Sequence, residues 1–399
     1  MGQLELLLIT AVISIIPGQL VRIPLFGQEG SFTVSDIFAL ILAVSFLFYF
    51  FFEKVAIVMP KKIMLPTAVF SLFAVSSTVF ALNRFSPKEI FVSSLFLIRF
   101  LLYFSVMIIT LNVVKRKKME KWVNIFLSAG TILIFLGFLQ LLFIPNLIFL
   151  ASYGWDPHQA RIVSTFLDPN FMGIVFVFLA SFSLAKYLYK REFTQILLFL
   201  SSATAILLTF SRSSYLAFLG ALLIIGVLKS FKVTSFTILI FLLSFLIIPQ
   251  ARERVVGAIT FDETAEARVQ SWQRALTMFG DHFLTGVGFN TYRYSQASYG
   301  FFENDKDLGG HSGAGSDSSL LLVAATTGVL GLGAFIWILL SIWQIVSKSA
   351  KKNFFALGAL ASFAALLVHS QFVNSLFFPQ IMILFWFFVG IVAREDNLR

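Results

Sequence analysis

Apolar runs follow one another from end to end of this chain, and nearly every lysine and arginine lies in the gaps between them. A helix needs about 20 apolar residues to cross the ~30 Å hydrocarbon layer of a bilayer. The pattern predicts twelve such segments, near 4–20, 36–53, 64–82, 89–114, 122–149, 170–188, 193–210, 213–229, 233–249, 318–346, 354–370 and 374–393. The 193–210 and 213–229 runs are divided only by Ser211 and Arg212. The run Leu4–Ile16 lacks a basic leader and an Ala-x-Ala cleavage site, and reads as a first, short span. Arg99 is the one basic residue set well inside an apolar run; it is costly in lipid and calls for a partner within the helix bundle.

The expected fold class is therefore an all-α integral membrane protein of about 12 transmembrane helices, a single membrane domain over residues 1–399. Twelve spans put both ends on one side. With that side cytoplasmic, every short inner loop is basic: Lys54, Lys61 and Lys62, then Lys115 to Lys121, Lys190 and Arg191, Lys229 and Lys232, and Lys348 to Lys352. The alternation breaks if 193–229 is one span, which favours dividing it at Arg212. Residues 250–317 then form one long extracytoplasmic loop between spans nine and ten, too polar to cross and too long for a mere connector. Within it, Ala265–Phe279 reads as an amphipathic helix, with Val269, Trp272, Leu276 and Phe279 at helical spacing. The glycine-rich remainder reads as loop.

Composition agrees. Hydrophobic residues make up 58% and charged residues 13%, against roughly 25% charged in soluble domains. The net charge of +10 is explained by inner-loop lysines and arginines, so nucleic acid is not an expected partner. With no cysteine there is no thiolate chemistry. No Gly-rich, Lys-ending phosphate loop occurs, and an outer-face enzyme has no access to cytoplasmic nucleotides. Asp281, His282, His311 and Asp317 have no metal-ligand spacing, and neither a metal nor a cofactor is expected.

Three outer clusters carry the candidate chemistry. Arg161 precedes Asp168, Pro169 and Asn170; these three read as turn and N-cap residues, but capping does not account for the arginine. Thr209-Phe210-Ser211-Arg212-Ser213 joins two spans without the usual turn-formers, which would place a guanidinium and hydroxyls at a rigid site. The long loop adds Arg268, Trp272, Arg274, His311 and Asp317. Outer arginines without an acidic excess around Arg161 and Arg212 suit an anionic substrate, and a lipid-linked diphosphate fits.

These residues also resemble a family. Arg161 with Thr165-Phe166 and Asp168-Pro169-Asn170, the Thr209–Ser213 turn, Arg268…Trp272…Ala275 through Gly286-Val287-Gly288, and Ser318-Ser319-Leu320 through Gly328…Gly331 stand in the order found in the O-antigen ligase and polymerase superfamily. Its members are integral-membrane glycosyltransferases that use polyprenyl-diphosphate-linked glycans. The resemblance implies an inverting, metal-independent transfer at the outer face of the inner or plasma membrane. The partners it implies are a polyprenyl-diphosphate-linked glycan donor, a glycan, lipid or protein acceptor, and membrane lipid. Arg161, Arg212 and Arg268 would bind the diphosphate, with Ser211, Ser213, Asn170, Trp272 and Arg274 in support. The chain departs from the family at one place. Where ligases carry a His-Asn pair at the start of the last of these spans, this chain has Asp317-Ser318, with His311 six residues upstream. The catalytic base is then His311 or Asp317, and ligase and polymerase readings both stay open. A lipid-linked-glycan flippase or polysaccharide exporter is the rival reading; its ionisable residues would lie deep in several spans, where this chain has only Arg99.

Overall fold

The computed structural model describes residues 2–25, 30–54, 56–301 and 315–396. Among these the chain is almost wholly helical: α1 (Gly2–Ile13), α2 (Val34–Glu53), α3 (Lys61–Phe80), α4 (Pro87–Val113), α5 (Met119–Phe143), α6 (Pro169–Lys190), α7 (Phe193–Leu208), α8 (Arg212–Leu228), α9 (Phe231–Ile247), α10 (Pro249–Ile259), α11 (Glu263–Asp281), α12 (Tyr292–Ser298), α13 (Ser319–Lys348), α14 (Phe354–His369) and α15 (Pro379–Asp396). The only described sheet is an antiparallel hairpin, β1 (Arg22–Leu25) and β2 (Gly30–Thr33). The hydrophobic pattern does not announce it, because it lies in a short polar gap.

Each of the twelve apolar segments falls on a helix. Six are long and apolar enough to cross a membrane, and a seventh if α9 and α10, bent by 96° at Pro249, form one span. The remaining five apolar helices, α1, α7, α8, α14 and α15, are shorter. Length alone therefore does not establish twelve crossings; a polytopic membrane bundle is what the helices define. The chain divides between α7 and α8, as the charge alternation requires. The centre of the bundle is α6, buried along nearly its whole length and packed on α7, α8 and α14, while α15 packs on α4 and α13 on α3.

Arg99 has the partner it needs. Its Nε lies 2.9 Å from Asp36 Oδ1, and it also donates to the Ser31 carbonyl. Asp36 further accepts from Tyr103 Oη at 3.0 Å and from the Thr33 amide and hydroxyl at 2.8 and 2.9 Å. Asp36 is near the start of α2, whereas Arg99 is twelve residues into the neighbouring α4. At 1.5 Å per residue α4 thus begins roughly 18 Å before the level of the pair. Arg99 stands near the middle of α4 but level with the first turn of α2, where Asp36 can reach it.

The long loop is more structured than its glycines suggest. It holds α10, α11 and α12. The segment between α11 and α12 at 283–288 is stitched into a break in α13, where Gly328 has φ +67°. Val287 and Gly288 amides donate to the Ala325 and Thr326 carbonyls at 2.9 and 3.1 Å, and the Val329 amide donates to Phe283 O at 2.8 Å. Backbone groups freed by interrupting a membrane helix need such partners. A Cβ on Gly328 would lie 2.3 Å from Leu284 O, and one on Gly286 (φ +69°) 2.3 Å from the Thr326 carbonyl carbon. These glycines let two backbones touch, and the contact fixes α11 against α13. Ala275 and Met278 are the buried side chains of α11, packed with Val287, Tyr292, Leu322 and Ala325. Leu276, expected on the apolar stripe, is 51% exposed, because the partner surface runs along the neighbouring face.

Candidate functional site

The α7–α8 turn is built from both sides. Ser211 is the N-cap of α8, its hydroxyl accepting from the Ser214 amide. The C-terminal carbonyls of α7 are satisfied by the strand-like segment at 161: the Ile162 amide donates to Leu208 O at 3.0 Å, Arg161 Nε to Thr209 O at 2.8 Å and Nη2 to Phe210 O at 3.2 Å. A guanidinium at a helix C-terminus meets both unsatisfied carbonyls and the negative end of the dipole. This explains a turn with no glycine, asparagine or proline, and why Phe210 holds φ +48°. Arg161 is thus a capping residue as well as a charge. Burial, helped by Arg254, pushes its pKa down to about 10.

The hydroxyls lie beneath the surface. Ser211 Oγ donates to Asn170 Oδ1 at 2.7 Å and meets Ser213 Oγ at 3.0 Å. Ser213 Oγ lies 3.2 Å from His369 Nε2, and all four side chains of Ser211, Ser213, Ser214 and His369 are buried. Ser211, Ser213 and Asn170, together with His369, therefore tie α6, α8 and α14 into one rigid floor. Asp168 caps α6, accepting from the Asn170 and Phe171 amides at 2.6 and 3.1 Å, while burial raises its pKa.

Arg212 is fully engaged. It donates to the Arg254 carbonyl and forms a two-pronged pair with Asp262, Nη1 to Oδ1 at 2.9 Å with Nη2 on Oδ2. Asp262 is the N-cap of α11, and the hydrogen bond from Arg212 holds its pKa below the usual range. So Arg212, at the start of α8, fixes the corner between α10 and α11.

Arg268 differs. It is half-buried on α11 and has no hydrogen bond or ion pair among the described residues. Its strongest charged neighbour is Asp317, followed by Arg212 and Asp168. Asp317 is held at the entry to α13, its amide donating to Ser271 Oγ on α11 at 3.0 Å. Its carboxylate also has no hydrogen-bond partner among the described residues. Burial pushes the Asp317 pKa up to about 6, against the pull of Arg268. Among the described residues, then, neither the Arg268 guanidinium nor the Asp317 carboxylate has a hydrogen-bond or ion-pair partner, and the two lie near enough for each charge to act on the other. Ser271, Trp272 and Ala275 follow Arg268 at i+3, i+4 and i+7, one face of the helix. Trp272 Nε1 is buried without a partner, and its ring lies 5.8 Å from Phe372. Arg274 stacks over Phe301 at 5.5 Å, away from this face. His311 lies outside the described residues.

Arg254 is a residue the sequence pattern did not single out. It sits on α10 with no side-chain hydrogen bond or ion pair among the described residues, and its charge is felt by Arg161, His158 and Asp262. The bend at Pro249 is what turns it inward, and nothing in the polar spacing of 250–260 signals that. The tertiary fold also brings Asp156, His158 and Asp168 together, their ligand atoms within 4.8 Å of one another. Burial pushes the His158 pKa down to about 4, with Arg161 adding repulsion. Arg161 and Arg254 beside this trio disfavour a divalent cation there.

The helices define a multi-pass membrane protein, and Arg161, Arg212, Arg254, Arg268 and the perturbed carboxyl of Asp317 lie within electrostatic reach of one another. Residues 196–336 match the family model described as O-antigen ligase. No curated protein matches the chain.

Proposed function

We propose that this protein is a membrane glycosyltransferase that moves a glycan from a polyprenyl-diphosphate carrier to an acceptor hydroxyl at the extracytoplasmic face, in a metal-independent, inverting step. The observation that carries this reading is the neighbouring pair Arg268 and Asp317, each without a hydrogen-bond or ion-pair partner among the described residues. In this reading the reacting group sits between them, with a charge for the leaving phosphate on one side and a base on the other.

Asp317 takes the proton of the acceptor hydroxyl, whose oxygen attacks the anomeric carbon from the face opposite the carrier. The bond from that carbon to the diphosphate oxygen breaks, and the electron pair leaves with polyprenyl diphosphate. Arg268 and Arg254 bind the diphosphate and offset its growing charge. Arg161 and Arg212 add positive potential while holding the backbone on which the site is built. The hydroxyl floor of Ser211, Ser213 and Asn170 acts through rigidity, and Trp272 and Arg274 through the seating of α11. An aspartate with a pKa near 6 supplies the base at the position where ligases carry histidine, so His311 is not required in this reading.

The test is purified protein in liposomes given a polyprenyl-diphosphate oligosaccharide. Acceptor-dependent release of polyprenyl diphosphate, lost in Arg268→Ala, is the expected result, and the acceptor that works separates ligase from polymerase. Passage of labelled lipid across the bilayer without release would overturn the enzyme reading in favour of a flippase.

A further inference from the structure

A cavity of about 180 Å³ lies where the start of α1, the ends of α2 and α4, the 56–58 segment and the end of α15 meet, lined among others by Leu4, Phe46, Tyr49, Ile57, Val113 and Arg394. It is remote from the site at Arg268 and Asp317. Just before α15 begins, the Leu376 amide donates to Ser319 Oγ at 3.2 Å, at the entry to α13 beside Asp317. Arg394 is in the last turn of α15, so at 1.5 Å per residue it stands roughly 20 Å farther along the bundle. The wall at 56–58 is fixed by Asn112 on α4, whose Oδ1 accepts from the Val58 amide at 2.9 Å and whose Nδ2 donates to Val58 O at 3.0 Å. On α2 beside the cavity, Leu47, Phe51 and Phe52 are 51–79% exposed, which sets it at the lipid-facing rim of the bundle.

The polar groups of this cavity are unmet. Arg394 is half-buried and lines the cavity itself. Its Nε is buried without a hydrogen-bond partner, and the side chain makes no ion pair among the described residues. The hydroxyl of half-buried Tyr49 has no hydrogen bond among the described residues either. Glu5, next to Leu4, is taken up by Lys118 at 2.9 Å. The negative end of the α15 dipole favours a cation in its last turn, but does not explain why a guanidinium nitrogen is buried with nothing to bond. A charged donor shut away from water is costly to leave unmet, and calls for an acceptor in the space beside it.

We propose that this cavity seats the headgroup phosphate of an anionic membrane lipid against Arg394 and the Tyr49 hydroxyl, with the glycerol and upper acyl chain along Phe46, Ile57 and Val113. A phosphate accepts the paired hydrogen bonds a guanidinium offers, Nε included. A free phosphate meets only the polar end of the cavity, whereas a lipid also covers its apolar walls. A zwitterionic lipid brings its own cation to the same place and gains less. The proposal does not depend on the transfer reaction.

Native mass spectrometry of the purified protein in neutral detergent tests it, with phosphatidylglycerol and phosphatidylcholine of matched chains as probes and soluble glycerol phosphate as competitor. The first phosphatidylglycerol should be retained at least tenfold more tightly than phosphatidylcholine, and excess glycerol phosphate should not displace it. Arg394→Gln should bring the two lipids to near-equal retention, Arg394→Lys should keep part of the preference, and Ile57→Trp, filling the cavity, should weaken both. Arg268→Ala should leave the preference intact. Equal retention of the two lipids by the unaltered protein would overturn the proposal, as would a preference that survives Arg394→Gln. Displacement by glycerol phosphate would overturn the lipid as occupant, and loss of the preference in Arg268→Ala would overturn the site, by placing the lipid at the other arginine.

Discussion

Replacing Asp317 by Asn removes a base while keeping the shape of the side chain, and the structure sets the size of the effect. With its pKa at about 6, the carboxylate is mostly ionised at pH 7 and mostly protonated at pH 5. Activity of the unaltered protein should therefore fall about tenfold from pH 7 to pH 5, following the ionised fraction of one general base. The pKa is raised by folding, so between the ordinary aspartate value and about 6 the folded state takes up a proton that the unfolded chain releases. Stability from this group is fully present below that window and declines as pH rises through it. The Asn variant lacks the cost of burying an ionised carboxylate and should melt no lower than the parent at pH 7. Its transfer rate should drop by about 10²–10⁴, the usual worth of a positioned base, with no acid limb near pH 6. The assay is release of polyprenyl diphosphate from a polyprenyl-diphosphate oligosaccharide over pH 5–8, with thermal unfolding in detergent measured in parallel. An Asn variant within threefold of the parent, or one that keeps the same acid limb, would refute Asp317 as the base and return the role to His311.

Four further outcomes are expected. Arg268→Ala should lower kcat/KM by about 10²–10³ with an unchanged Tm, since the side chain binds no other described residue; Arg212→Ala should lower the Tm as well, because it releases the α10–α11 corner, and melting curves of the two variants would separate these roles. Arg99→Met strands the 2%-exposed Asp36 carboxylate and should cost about 3–5 kcal/mol, with much of it regained in Arg99→Met/Asp36→Asn, as followed by thermal unfolding. Gly328→Ala places a Cβ 2.3 Å from Leu284 O at positive φ, a strain of about 1–3 kcal/mol before any clash is counted, and should loosen α11 enough to speed proteolysis of the 250–300 segment. A chelator should leave the transfer rate unchanged; activity lost with chelator and restored by a divalent cation would redirect attention to Asp156, His158 and Asp168.

Much of this protein was legible in the sequence because bilayer solvation acts on each residue according to its own polarity. Each apolar run falls on a helix, the 193–229 stretch divides at Arg212 where the charge alternation puts the break, and residues 196–336 match the family model described as O-antigen ligase, as the motif order leads one to expect. The spacing around Arg268 gives an amphipathic α11, and Arg161, Arg212 and Arg268 are singled out before any packing is known. What each arginine does is another matter. Arg161 caps α7, Arg212 is clasped by Asp262, and Arg268 alone of the three has no hydrogen-bond or ion-pair partner among the described residues, a difference set by neighbours 48, 50 or more residues away in sequence. The partner of Arg99, the inward turn of Arg254 and the hydroxyl floor reaching His369 likewise arise only when helices distant in sequence meet. Hydropathy is a property each side chain carries with it, so it can be summed along the chain. Pairing, capping and a pKa shift depend on which groups share a small volume from which water is excluded, and that is decided by helix packing.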